Sequence, residues 1–205
     1  MRYFPLLIDT HDLNVSVFGG GLVAESKVKL LLKSEAQVTV FSSQLTPLLS
    51  ELRERGRLQQ VSVAAGELAS AEIEWARVRV AYDALETSEE IELARQWLRD
   101  QCVEHNVLLN VVDQRTLCQF ITPALVDRDP IMVAISTSGS APMLGRMIRA
   151  QIEELLPEYI GELARWSEGY RPQVGETLPP GASRRDFWAE LFDVCLLYTS
   201  PSPRD

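Results

Sequence analysis

The sequence predicts an α/β fold: a Rossmann-like parallel sheet domain, then a small α+β dimerisation domain, then a C-terminal helical domain. Three observations carry that expectation. Strand-like and helix-like runs alternate over residues 1–113. The first strand runs straight into the turn Gly19-Gly20-Gly21, which opens a helix. After Asp113 the alternation stops, and two strand-like runs joined by a short turn give way to helical patterns.

Taken in order, Asn14-Val15-Ser16-Val17-Phe18 is a short apolar strand, and a helix over 25–32 follows the glycine turn. Gln37-Val38-Thr39-Val40-Phe41 is a second strand, and residues 45–55 have helical spacing. Residues 58–64 and 78–82 read as the third and fourth strands. A helix is expected over 88–104, with Ser88 as N-cap and Glu89-Glu90 favourable in its first turn. Residues 107–112 form a fifth strand that ends at Asp113.

Beyond it, Phe120-Ile121-Thr122-Pro123-Ala124 reads as extended, Asp127-Arg128-Asp129-Pro130 as a turn, and 131–137 as a strand pairing antiparallel across that turn. Ser140 is the expected N-cap of a helix over 143–155, with Pro142 in its first turn. Another helix runs from Pro157 to about Tyr170, residues 171–182 read as a Pro/Gly linker, and 183–193 as a last short helix. The expected division is 1–113, a nucleotide-binding domain; 114–150, a dimerisation and substrate-binding region; 151–194, a helical domain; and 195–205, a Ser/Pro tail resembling translated sequencing-adapter ends and not native.

The 205 residues are 46% hydrophobic and 24% charged, ordinary for a globular chain with a real core. A formal net charge of -9 argues against non-specific nucleic-acid binding, which needs a basic face. The apolar stretch near the start is too short for a secretory signal, and no run approaches membrane-spanning length, so a cytoplasmic protein is expected. Cys102, Cys118 and Cys195 show no CxxC spacing, and with His11 and His105 they form no metal-ligand pattern, so reduced thiols and no metal site are expected.

The glycine turn is either an ordinary tight turn or a pyrophosphate cradle. In the second reading Gly19 allows the turn, Gly21 lets backbone approach the phosphates, the N-terminus of the following helix supplies free N–H groups, Ala24 lets helix and strand pack closely, and Gly20, Leu22 and Val23 are further cofactor contacts. The end of the second strand has neither the acidic residue that binds a ribose 2′-hydroxyl nor an arginine for a 2′-phosphate. Ser42-Ser43 is either an ordinary polar turn or, with Gln44, the edge of a neutral ribose pocket in which Ser43 and Gln44 hydrogen-bond the ribose, which favours NAD over NADP. Asp113, at a strand's carboxyl end, is either a turn cap or a proton acceptor. The loop Ser136-Thr137-Ser138-Gly139-Ser140, with Arg115, Arg128, Arg146 and Arg149 nearby, is either a capped helix among solvated arginines or a site for a polycarboxylate.

Together these residues resemble one family, the precorrin-2 dehydrogenase/sirohydrochlorin ferrochelatase module of siroheme synthase. The resemblance spans about Tyr3 to Phe192. It runs through Phe4-Pro5-Leu6, 17–24 with Lys27, Asn110-Val111-Val112-Asp113, 120–124, Asp127-Arg128, 130–142, Arg149, Leu155-Leu156-Pro157, and Arg185 with Phe187-Trp188. It implies oxidation of precorrin-2 to sirohydrochlorin with NAD, then insertion of ferrous iron to give siroheme at a shared site in a homodimer. The family's key aspartate falls on Asp113, as general base and acceptor of pyrrole protons. Asn110, Arg128, Thr137, Ser138, Gly139, Ser140 and Arg146 would face the tetrapyrrole. A dehydrogenase lacking chelation, or a non-catalytic NAD-sensing module, are the alternatives. The chain departs from the family at Tyr82-Asp83-Ala84, where a Thr-Asp or Thr-Asn pair is common, and in a longer stretch between Ala81 and Asp113. Many bacterial members are fused to a uroporphyrinogen-III methyltransferase.

Overall fold

The computed structural model describes residues 3–86 and 89–199, and the chain divides into two units, Met1–Thr122 and Pro123–Asp205. In the first unit, runs rich in β-branched and aromatic residues form β1 (Asn14–Phe18), β2 (Gln37–Phe41), β3 (Gln59–Val61), β4 (Val78–Asp83) and β5 (Leu108–Val111). All neighbours are parallel, in the order β3-β2-β1-β4-β5. A parallel sheet must be covered on both faces, and the side chains divide accordingly. Val15, Val17, Val38, Val40 and Tyr82 pack on Ala24 and Val28 of α1 (Leu22–Leu31) and on Leu49 of α2 (Pro47–Glu54). Phe18, Phe41, Ala81 and Val111 face Leu68, Trp75, and Leu98 and Cys102 of α3 (Glu89–Glu104).

The second unit holds an antiparallel hairpin, β6 (Ala124–Arg128) and β7 (Ile131–Ile135), as the turn at Asp129-Pro130 predicts. Three helices follow: α4 (Pro142–Leu155), α5 (Tyr159–Thr177) and α6 (Ala182–Thr199). Gly161 lets α5 cross the hairpin turn closely, since a Cβ there would lie 2.3 Å from the carbonyl oxygens of Arg128 and Asp129. The fold class is as expected: a five-stranded parallel sheet, a small α+β region and a helical C-terminal part.

Several local expectations need correction. The linker over 171–182 is mostly helix, because α5 continues to Thr177 with Pro172 inside it. Its carbonyl ends find donors that composition does not reveal: Arg184 donates from Nε to Leu178 O (2.8 Å) and from Nη2 to Gly175 O (2.6 Å). The last helix is longer than 183–193 and reaches Thr199. Ser140 is not the N-cap of α4; Ala141 is, and the Ser140 hydroxyl instead donates to Thr137 O at 2.6 Å. The third strand shrinks to Gln59–Val61, and α1 starts at Leu22, directly on the glycine turn. The expected Ser88 cap, and residues 200–205 of the tail, lie outside the described residues, as do the side chains of Glu89 and Glu90.

Candidate active site

The strand order places a topological switch at the carboxyl ends of β1 and β4, where the chain leaves the central pair in opposite directions. Open α/β sheets bind ligands in that crevice. The glycine turn leaves β1 there. Gly19 has φ +117°, and a Cβ on it would sit 2.4 Å from Ala84 O. A Cβ on Gly20 would sit 1.9 Å from Gln44 O and 2.6 Å from Ser42 Oγ. The protein's own backbone therefore demands both glycines. Gly21 differs: it caps α1 in an extended conformation, and a Cβ there would approach only the carboxylate end of Glu86, at 3.2 Å. Outward of Gly21 the exposed Leu22 and Val23 begin the helix, where the first-turn N–H groups lack intrahelical acceptors. Backbone closes the turn at Gly19 and Gly20, and at Gly21 the N–H groups of the helix start face an anion once the flexible Glu86 carboxylate swings aside.

The loop after β2 is tied to this turn. Thr46 N donates to Gly20 O (3.0 Å), and its hydroxyl donates to Glu25 Oε2 (2.7 Å). Glu25 also accepts from Lys29 Nζ (2.7 Å), and the hydrogen bonds from Lys29 and then Thr46 hold its carboxyl below the usual range. Ser42 is used internally: its hydroxyl donates to Gln44 O (2.6 Å) and its carbonyl accepts from Gln60 Nε2 (2.8 Å). Ser43 and Gln44 remain exposed beside the turn.

Asp113 stands at the same sheet edge. It is exposed and follows β5 in a left-handed conformation, φ +61°. β4 bridges it to the glycine turn: Asp83 is in register with Phe18 on one side and Val111 on the other. Ala84 N donates to Phe18 O (2.8 Å), and Val112 N donates to Asp83 O (2.9 Å). Asn110 points inward, 7% exposed, with Nδ2 donating to Phe120 O at 2.9 Å. It anchors the segment carrying Phe120, whose ring meets Tyr82 edge-on at 5.3 Å. Burial raises the Tyr82 phenol's pKa, partly offset by its hydrogen bond with Thr122 Oγ1 (3.3 Å).

In the second unit, Thr137–Ser140 is a tight turn with positive φ at Ser138 (53°) and Gly139 (76°), closed by Ser140 N donating to Thr137 O (3.0 Å). That is the type I′ geometry, which favours glycine and small polar residues. Its side chains sit at the entrance to α4, with Thr137 Oγ1 accepting from Ala141 N (3.3 Å). Arg146 is exposed on α4 beside Met143, and Arg149 pairs with Glu153 at 2.7 Å. Arg128 is engaged otherwise: its guanidinium donates to Leu156 O (2.8 Å), Asp127 O (2.9 Å) and Glu153 O (3.2 Å), capping the C-terminal end of α4.

Two features of the cleft escape the sequence reading. One is Glu86 over Gly21. The other is a buried ion pair, Asp83 with Arg95 of α3, at 2.7 Å and with side chains 0% and 3% exposed. A strand-end acid and a helix arginine twelve positions on carry no local pattern that would pair them. Among the described residues no cluster of three or more His, Cys, Asp or Glu could hold a metal, and no helix is long and apolar enough to cross a membrane.

The switch-point crevice with its glycine turn defines a Rossmann-type nucleotide-binding domain, and residues 6–124 match the family described as "Putative NAD(P)-binding". The cofactor is thus a nicotinamide dinucleotide. Residues 128–155 match the sirohaem biosynthesis protein central region, and 159–195 the sirohaem synthase dimerisation region. The chain belongs to the family of the siroheme synthase N-terminal module. It is 39% identical over 193 residues to siroheme synthase of Thioalkalivibrio sulfidiphilus, covering 94% of this chain and 38% of that protein. Against siroheme synthase of Pseudoalteromonas atlantica it is 36% identical over 195 residues, covering 94% and 40%. The chain thus spans about two fifths of the curated relatives it matches. Its fold is similar to that of SirC, precorrin-2 dehydrogenase, with a TM-score of 0.69 and 20% identity, covering 92% of this chain and 89% of that one.

Proposed function

We propose that this chain oxidises precorrin-2 to sirohydrochlorin with NAD and then inserts ferrous iron to give siroheme, as a cytoplasmic homodimer. The observation that carries the reading is the pairing of Gly19–Gly21 with Asp113 at one sheet edge, joined through β4. Gly19, Gly20 and Gly21, with the N–H groups of Leu22 and Val23, hold the pyrophosphate, and Ser43 and Gln44 contact the adenosine ribose. NAD, when bound, supplies the hydride acceptor. Oxidation removes one hydride and one proton from the tetrapyrrole, and the exposed Asp113 carboxylate takes the proton. Metal insertion releases two pyrrole protons for each ferrous ion bound, and Asp113 relays those as well. Within the second unit, the Thr137–Ser140 turn and Arg146 offer donors of the kind that a polycarboxylate substrate needs. Arg128 and Asn110 act indirectly, by holding α4 and the Phe120 segment in place.

Anaerobic turnover of precorrin-2 with NAD, followed by absorbance, tests the reading. Asp113→Ala is expected to lower kcat by about 10²-fold or more. Equal turnover by wild type and variant would remove Asp113 as the base. NAD binding without turnover by either protein would instead favour a sensing module. Adding ferrous or cobaltous ion to sirohydrochlorin tests chelation separately, and oxidation without metal insertion would reduce the assignment to a dehydrogenase. The Ser42–Gln44 loop offers no cation for a 2′-phosphate, so NAD is expected to bind more tightly than NADP in a direct titration.

A further inference from the structure

The buried Asp83–Arg95 pair lies where a pure stability device would be poorly chosen. Desolvating two charges costs about as much as their attraction returns, and well-packed apolar side chains often do as well. What the pair supplies is direction. Asp83 Oδ1 accepts from Leu85 N (3.1 Å), and Oδ2 accepts from Arg95 Nε (2.7 Å). Arg95 Nη2 donates to Leu85 O (3.0 Å), while Nη1 reaches Glu92 at 3.3 Å. Leu85 is therefore gripped at both its N–H and its carbonyl by one ion pair.

Leu85 sits between the two residues that shape the glycine turn. Ala84 O is the atom against which Gly19 is packed, and Glu86 is the side chain over Gly21. Asp83 O also accepts from Val112 N, the residue before Asp113. A displacement of the Ala84–Glu86 segment after β4 would shift the wall of the pyrophosphate cradle, while Asp113, held through the backbone of β4 and β5, keeps its place. Misplacement on the order of 1 Å at such a site is enough to cost binding or rate.

We propose that Asp83 and Arg95 are positioning residues that set the Ala84–Glu86 wall, and thereby the affinity for the nicotinamide cofactor. The inference rests on the glycine turn being the cofactor site.

The test compares wild type, Arg95→Lys and the double variant Asp83→Leu/Arg95→Met by thermal unfolding, NAD titration and steady-state kinetics with precorrin-2. The double variant removes both charges together, so no lone buried charge remains to unfold the protein. It is expected to keep a cooperative transition while KM and Kd for NAD rise about tenfold and kcat at saturating NAD changes less than twofold. Arg95→Lys keeps the charge but loses the second grip on Leu85, so its KM should fall between the two. A merely structural pair would lower the active fraction, and hence apparent kcat, with KM unchanged. Wild-type KM and Kd in the folded double variant would overturn the inference. If the double variant does not fold, wild-type values in Arg95→Lys would do so. Failure of wild type itself to bind NAD would count against the cofactor site and not against the clamp.

Discussion

The two units differ in how much they bury. In the first, both faces of the sheet are covered, and Val17, Phe18, Val28, Val40, Leu49 and Leu98 are fully shielded. In the second, Val126 is the one buried apolar side chain among the described residues, while Met132, Met143, Leu144, Met147 and Trp166 are about half exposed or more. The first unit can hold a glycine turn rigidly because its sheet is packed from both sides. The second keeps apolar helix surface in reserve. That suits a unit completed by a second copy, as its match to a dimerisation region suggests.

The sharpest way to break the contrast is Leu98→Ala in the first unit. Leu98 is fully buried against the sheet, and its truncation should cost about 3 kcal/mol in urea unfolding. A loss below about 1 kcal/mol would mean the sheet core is looser than its burial implies. Next comes Trp166→Glu on α5, whose ring lies 4.6 Å from that of Tyr170 on exposed surface. If the proposed homodimer forms through this surface, the variant should weaken it at least about tenfold in sedimentation while leaving the first unit's melting unchanged. An unaltered dimer would place the interface elsewhere in the second unit.

Smaller is the effect of Glu25→Gln, which loosens the tie between the glycine turn and the loop after β2. The Glu25 carboxyl is held below its ordinary value of 4.5 by Lys29 and Thr46. Its contribution is therefore present above that value and fades as pH falls through the lowered one. The variant should be less stable by about 0.5 kcal/mol at pH 7 and match wild type in strong acid. Smallest is Cys102, whose thiol is pushed up to about 12 by burial and then by the charge of Asp83. Native protein at pH 8 should leave it unalkylated by iodoacetamide in mass spectrometry. Rapid labelling without unfolding would show that α3 opens away from the sheet.

Much of the first unit could be read from the chain because its signals are local. Apolar runs such as Gln37–Phe41 form strands with the expected bounds, and a glycine turn before a helix specifies its own geometry. The errors arise where distant partners decide. Pro172 and Gly175 read as linker residues, yet Arg184 supplies the donors that let α5 run past them. Arg128 reads as a cation for an anion, and its further task of holding the carbonyls at the end of α4 has no signal in the sequence. Asp83 and Arg95 carry no periodic signature, because a strand end and a helix face meet only after the sheet has formed.

The three glycines of the opening turn also separate folding from activity in a way a mutational scan could read. Side chains at 19 and 20 collide with main-chain carbonyls, whereas one at 21 meets only the tip of Glu86. In a library scored for both abundance and the proposed siroheme formation, substitutions at the first two positions should deplete the protein itself. Those at the third should leave abundance intact and erase the product, marking the boundary between what the fold requires and what the ligand requires.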